Sequence, residues 1–318
     1  MKNKTILVTG SAGFIGFHVS KKLLENGNTV IGIDNFNNYY DPKLKKSRNK
    51  ILEKFDKYKI YKGDISNIKF LSKIAKTNKI DYICHLAAQA GVRFSLEKPE
   101  TYIKSNIQGT LNILEVCRHF NTKKLVYASS SSVYGENKVP FKESERVDHP
   151  ISLYAATKKS CEEMAYTYYR LFGISSFGLR FFTVYGPYGR PDMALFSFTR
   201  NILENKPISV FNNGNLSRDF TYIEDIVEGV IKSLEKVNGY ELLNLGRGQP
   251  IKLLDFIIEI ESALNKKATI SMKPMQKGDV PKTWADISKA KKLIQYNPKT
   301  SIKEGVTEFT TWYKKYYE

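Results

Sequence analysis

Thr5-Ile6-Leu7-Val8-Thr9-Gly10-Ser11-Ala12-Gly13-Phe14-Ile15-Gly16 decides the fold of this chain. Thr5–Thr9 is a short, nearly continuous apolar run, the pattern of a parallel strand buried on both faces. Three glycines follow it, then an amphipathic helix to about residue 26. Gly10 suits a tight turn out of the strand. Gly13 lets a pyrophosphate approach the backbone at the helix N-terminus, where free N–H groups and the helix dipole favour an anion. Gly16 lets helix and strand pack closely. The spacing Gly-x-x-Gly-x-x-Gly is a variant of the dinucleotide fingerprint, with the strand before it and the helix after it that the fingerprint requires. Asp34 ends a second strand, Thr29–Asp34. A carboxylate there accepts both ribose hydroxyls and repels a 2′-phosphate, so NAD is favoured over NADP.

The pattern repeats outward from this unit. Further strands are expected at 57–64, 81–88, 124–129 and 176–182, with helices between them. One helix starts at Ser66, a long one runs over 99–120, and one runs from Tyr154 to about residue 171. Strands alternating with helices imply an α/β fold, a Rossmann doubly wound parallel sheet covered on both faces. After Phe182 the loop Gly186-Pro187-Tyr188-Gly189-Arg190-Pro191 breaks the alternation. Short strands are expected at 208–211, 219–223 and 242–245, helices at 224–235 and 253–265, and last helical turns at 312–317. The expected division is a dinucleotide-binding domain over 1–182, with 219–248 returning to it. A smaller α/β substrate-binding domain then takes 183–218 and 249–318.

Hydrophobic residues at 42% and charged residues at 26% are those of a soluble globular protein, so disorder and a fibrous class are excluded. No apolar run approaches the roughly 20 residues of a membrane span, and the short run Ile6-Leu7-Val8 is no signal peptide. The three cysteines, Cys84, Cys117 and Cys161, have no metal-ligand or disulfide spacing and read as small core residues. No metal site is expected, and a reducing cytoplasm suits this usage. The net charge of +18 is spread through almost every segment, with no zinc-finger, helix-turn-helix or aromatic RNA motif. No specific nucleic-acid partner and no membrane insertion are expected. A positive field still favours a small anionic substrate.

Tyr154-Ala155-Ala156-Thr157-Lys158 opens a helix, so its tyrosine and lysine, at i and i+4, share one face. A phenol normally ionises only at about pH 10. An ammonium beside a phenol favours the phenolate, so such a pair can serve as a general base. Ser129-Ser130-Ser131-Ser132 closes the fifth strand and presents hydroxyls at the same end of the sheet. Asp64 and Leu86-Ala87-Ala88 fall at strand ends, where an open parallel sheet binds ligand. Asp64 could meet an adenine amino group, and the small Ala87 and Ala88 would let a cofactor lie against backbone. Read alone, Asp64 equally suits a helix cap.

Taken together these stretches resemble the extended short-chain dehydrogenases/reductases of the nucleotide-sugar epimerase and dehydratase group. The resemblance rests on Thr9 to Gly16, Asp34-Asn35, Gly63-Asp64, His85-Leu86-Ala87-Ala88, Ser129 to Gly135, Tyr154 to Lys158 and Arg218-Asp219-Phe220, and covers essentially the whole chain. It implies NAD held by Gly10, Gly13, Phe14, Ile15, Gly16, Asp34, Asn35, Asp64, Ile65, Leu86, Ala87, Ala88, Asn106, Tyr154, Lys158 and Phe181. Tyr154 is the implied acid/base. Lys158 would assist it and hold the nicotinamide ribose, and Ser130 would share the proton of the reacting hydroxyl. Dehydratases of the group carry Thr-Asp-Glu where this chain has Ser130-Ser131-Ser132, and decarboxylases carry a glutamate near there. Neither is present.

The loop from Gly186 to Phe196 and Ala88-Gln89-Ala90-Gly91-Val92-Arg93 resemble those of UDP-glucuronate 4-epimerases, with Tyr188 where tryptophan is usual. That implies interconversion of UDP-glucuronate and UDP-galacturonate through a 4-keto sugar, in the usual setting of surface-polysaccharide precursor supply. Ser130, Ser131, Ser132, Thr183 and Arg190 would restrain the substrate carboxylate. Arg93 and Arg218 would meet the UDP pyrophosphate, Asp279 the ribose, and Val210 and Phe211 the uracil; Asp279 equally suits a turn. A homodimer through helices 99–120 and 154–171 is implied as well. Two other readings stay open: a UDP-glucose or UDP-N-acetylglucosamine 4-epimerase, and a non-catalytic NAD-binding sensor or scaffold.

Overall fold

The computed structural model describes residues 1–318. Its first elements are β1 (Thr5–Thr9), α1 (Phe14–Glu25), β2 (Thr29–Asp34), α2 (Pro42–Leu52), β3 (Tyr58–Lys62), α3 (Ile68–Thr77) and β4 (Tyr82–His85). Two single turns follow, α4 (Phe94–Glu97) and α5 (Pro99–Tyr102), then a π-helical stretch Ile103–Gln108 and α6 (Gly109–His119). Next come β5 (Lys124–Ser130), a 3-10 turn Ser131–Tyr134, α7 (Leu153–Phe172) and β6 (Ser175–Phe181). The remainder comprises β7 (Thr183–Tyr185), α8 (Ala194–Leu203), β8 (Ile208–Val210), β9 (Ser217–Arg218), β10 (Phe220–Tyr222), α9 (Ile223–Lys236) and β11 (Tyr240–Leu245). It closes with β12 (Ile251–Lys252), α10 (Leu253–Leu264), β13 (Ile270–Met272), α11 (Ser288–Ile294) and α12 (Ile302–Tyr317).

Seven strands form one sheet in the order β11-β6-β5-β4-β1-β2-β3, every neighbouring pair parallel. The chain runs outward on one side through β2 and β3, then crosses back to β4. The switch therefore lies between β1 and β4, where an open sheet leaves a crevice at its C-terminal edge. The register brings Thr9 opposite Ile33 and His85, so Gly10 and Leu86 leave the sheet side by side.

Alternate residues of each strand enter opposite cores. Leu7, Ile31, Ile83 and Leu125 pack with Ile113, Leu114, Cys117 and Cys161 beneath α6 and α7. Ile6, Val8, Val30, Cys84 and Val126 face the other way, into a cluster of 54 buried residues that extends to Tyr313. Burying each such aliphatic side chain contributes about 1.5–3 kcal/mol. All three cysteines are free and buried.

Several boundaries differ from the sequence expectation. The fourth strand stops at His85, not at residue 88. Leu86 N still donates to Thr9 O, but Ala87 N turns to the Thr9 hydroxyl. Asn67, not Ser66, caps α3, accepting from Phe70 N at 3.1 Å. The single helix over 99–120 is divided by the π-helical stretch. Of residues 219–245 only β11 joins the sheet, because β10 pairs with β7 in a separate two-stranded ribbon. Helix α2 was not expected. Asp41 caps it at Lys43 N and Pro42 occupies its first position.

Candidate active site

The crevice at the switch point opens into a cleft of about 660 Å³. Its floor is the glycine turn. Gly10 has φ +72°, and a Cβ there would lie 2.8 Å from Ala87 N. A Cβ on Gly16 would lie 2.0 Å from Gly10 O, so only glycine lets α1 start this close to the turn. No side chain caps α1, and Gly13, Phe14, Ile15 and Gly16 line the cleft. Uncapped first-turn N–H groups at the bottom of a cleft fit a diphosphate.

Asp34 stands beside this turn, accepting from Ala12 N at 3.1 Å and from Phe36 N at 2.8 Å. Asn35 donates to Asp64, which also accepts from Ser66 N. Burial raises the Asp64 carboxyl, but the bonds from Ser66 and Asn35 and the Lys104 charge outweigh it and hold it below its ordinary value. Ile65, Leu86, Ala87 and Ala88 complete this end. A carboxylate, an amide and small apolar residues around an anion-binding turn fit a dinucleotide.

At the other end α7 supplies Tyr154 and Lys158, both lining the cleft. Ser152 caps the helix at Ala155 N, fixing where its first turn begins. Lys158 Nζ donates to Ala128 O at 2.9 Å, and the Tyr102 ring stands edge-on to Tyr154 at 6.1 Å. Ser130 Oγ donates to Ser132 Oγ and accepts from Ser132 N, holding the 3-10 turn that brings Ser131 and Ser132 into the wall. Thr183 and Phe181 line the same wall from the end of β6 and the start of β7. Beneath lies His85, bonded to Thr9 and Thr110; burial and then the Lys158 charge push it down to about 3, so its ring is neutral.

The expected residues do not all reach the cleft. Asn106, in the π-helical stretch, is buried behind it and bonds the backbone of Gln89 and the Thr157 hydroxyl. Val210 has no exposed surface and belongs to the core, so its side chain cannot pack on a base. Phe211 lies under the Arg93 guanidinium at 5.1 Å, and Arg93 lines the cleft. Arg218 sits outside the lining but pairs with Asp279, which is in it, at 2.7 Å.

Arg190 lines the cleft, yet both arms of its fork are held by Asp192, at 3.0 and 2.5 Å. Tyr39 donates to the same carboxylate at 3.1 Å. Burial raises the Asp192 carboxyl, but the Arg190 charge and the bonds from Arg190 and Tyr39 hold it below its ordinary value. The Tyr39 phenol is pushed up to about 12, chiefly by burial. Sequence reasoning missed Tyr39, Lys45, Gln89, Asp192 and Lys277 of the lining, and Arg48 behind it. A signal for α2 existed. Asp41-Pro42 is a helix start, and Leu44, Arg48 and Leu52 share one face.

Comparison with known proteins agrees with this architecture. The family model described as "NAD dependent epimerase/dehydratase family" matches residues 6–246. An uncharacterized protein of Methanocaldococcus jannaschii is 57% identical over 316 residues, covering 98% of this chain and 97% of that protein. UDP-glucuronate 4-epimerase 4 of Arabidopsis thaliana is 48% identical over 332 residues, covering 98% of this chain and 76% of the relative. Among solved structures, UDP-glucuronic acid 4-epimerase from Bacillus cereus, in complex with UDP-glucuronic acid and NAD, superposes with a TM-score of 0.94 at 39% identity, covering 98% of this chain and 100% of that one. With its glycine turn, seven-stranded parallel sheet and matched residues 6–246, the chain belongs to the NAD-dependent epimerase/dehydratase family.

Proposed function

We propose that this protein is an NAD-dependent isomerase that interconverts UDP-glucuronate and UDP-galacturonate by inverting carbon 4 of the sugar. The observation that carries the reading is the cleft wall built from the end of β5, the 3-10 turn after it and the start of β7. It offers the hydroxyls of Ser130, Ser131, Ser132 and Thr183 and holds no carboxylate at 131 or 132. Similarity to UDP-glucuronate 4-epimerases over nearly the whole chain supports it.

Gly10, Gly13, Gly16 and Asp34 would hold NAD, which when bound would supply the acceptor and donor for hydride at carbon 4, so the reaction is redox-neutral. As general base and then acid, Tyr154 Oη takes the proton of the carbon-4 hydroxyl and later returns it. Ser130 Oγ hydrogen-bonds the same hydroxyl and keeps it aimed at Tyr154. Lys158, anchored on Ala128 O, would assist the phenol and hold the nicotinamide ribose. Oxidised at carbon 4, a uronate is a β-keto acid and loses carbon dioxide once its carboxyl bond aligns with the carbonyl π-system. Ser131, Ser132 and Thr183 hold the carboxylate out of that alignment. The Arg190 fork already faces Asp192, so the hydroxyls carry this task.

Arg93, with Phe211 beneath it, and the Arg218–Asp279 pair take the diphosphate and ribose of UDP. In this reading 183–218 and 249–318 form the nucleotide-sugar part, and 1–182 with 219–248 the dinucleotide part. A homodimer forms through α6, α7 and the turns before them, where Leu96, Ile103 and Leu171 are exposed by half or more. Sedimentation as a monomer at micromolar concentration would remove the dimer. Cytoplasmic residence suits three free, buried cysteines, and no helix is long and apolar enough to cross a membrane. The deciding experiment is incubation of purified protein with UDP-glucuronate, resolving UDP-galacturonate from UDP-pentose. UDP-galacturonate alone is expected. A pentose product would refute the assignment, and turnover of neutral UDP-sugars alone would move it to another sugar.

A further inference from the structure

Arg48, on α2, has no exposed surface and no carboxylate partner. A buried charge is costly unless its hydrogen bonds are met; the Arg48 Nε has no partner, so what meets the two Nη groups is informative. Its Nη1 donates to Ala12 O at 2.9 Å and to the Tyr40 hydroxyl at 2.6 Å. Its Nη2 donates to Tyr188 O at 2.6 Å and more weakly to Gly189 O at 3.4 Å. Ala12 lies inside the glycine turn, and its own N–H is held by Asp34. Tyr188 and Gly189 lead into the loop whose Arg190, Asp192 and Met193 line the sugar end of the cleft. One planar fork therefore ties the dinucleotide turn to the loop over the substrate. Tyr188 adopts φ +57°, and the clasp receives its carbonyl in that unusual conformation. A lysine has one nitrogen and cannot span both sides in a plane.

We propose that Arg48 is a positioning residue that couples retention of the dinucleotide to the order of the 186–193 loop. The glycine turn keeps its anion-binding shape only while the loop is in place, and the loop closes over the sugar only while the turn is held. The proposal rests on the reading of the cleft as an NAD and UDP-sugar site.

The test uses the wild type, Arg48→Lys and Tyr40→Phe as purified, measuring bound NAD per chain and the UDP-glucuronate KM and kcat at saturating NAD. Expected for Arg48→Lys is less than half the wild-type NAD content, with KM raised about tenfold and kcat within about threefold. Tyr40→Phe, which removes a single hydroxyl, should move both readouts in the same direction by less. Should Arg48→Lys fail to fold, Tyr40→Phe decides by the same two measurements. Unchanged NAD content in the folded variants overturns the coupling. So does loss of NAD with an unchanged KM, which would confine Arg48 to the turn, or a fall in kcat with KM unchanged. A wild type that neither carries nor binds NAD would instead overturn the reading of the cleft, and the clasp with it.

Discussion

Tyr154 and His85 lie close to the same lysine but carry different expectations. Tyr154→Phe keeps the ring and removes the atom that moves the proton, so kcat should fall about 10²–10⁴-fold with the fold unchanged by circular dichroism. A rate within threefold of wild type would remove Tyr154 from the chemistry. His85, neutral when folded with a pKa of about 3, takes up a proton near 6.5 once unfolded. The folded state thus binds fewer protons in that window, and stability must fall as pH drops from 6.5 toward 3. The slope from this residue is at most about 1.4 kcal/mol per pH unit. His85→Gln should flatten the pH dependence of urea midpoints over this range. An unchanged profile would mean that the ring is not held neutral. Both roles concern single residues, but only one was legible. Tyr154 and Lys158 announce themselves by helical spacing, whereas nothing local to His85 says that Thr9 and Thr110 will enclose it.

Glu162 follows Lys158 by one helical turn on α7 and ties three elements together. It accepts from Ser129 at the end of β5 at 2.6 Å and takes both arms of Arg180 from β6 at 2.9 and 2.8 Å. Both charged groups are wholly buried. Glu162→Gln leaves Arg180 buried and uncompensated, which should cost about 3–5 kcal/mol in urea denaturation. Glu162→Leu with Arg180→Leu should recover much of that; a double variant no better than the single would contradict the pairing. Elements of this kind were read well where pattern is local. β1 and β2 are nearly continuous runs of buried apolar residues, β5 and β6 are buried along most of their length, and α7 is bounded by Ser152 and by Gly173 in the left-handed conformation. Helix α2 escaped because Lys and Arg crowd its sequence and its key contacts are from a guanidinium to distant carbonyls. Likewise Tyr39 and Asp192 meet across 153 residues, a pairing that no spacing rule encodes. The boundaries at His85 and Asn67 moved because a Thr9 hydroxyl and an asparagine cap competed for backbone groups.

Over the whole molecule the larger core runs without a break from Ile6 through Phe256 to Tyr313, so residues of both expected domains share it. Unfolding should therefore be one cooperative step, with calorimetric and van't Hoff enthalpies that agree. Two resolved transitions would show that the parts hold separately. The parallel sheet and the cleft at its edge were legible because the alternation of strand and helix admits few other topologies. The continuity of the core was not, since it depends on how α8, α10 and α12 pack on one another and on β8 and β10 rather than on any one motif.

The last helix has a practical consequence. The rings of Trp312, Tyr316 and Phe17 all pack against Tyr188, and Tyr316 also bonds Ser47 on α2. Shortening the chain ahead of Trp312 would remove the buttress of a segment far away in sequence. Anyone trimming, tethering or fusing this protein has more freedom at its basic outer surface than along that aromatic spine.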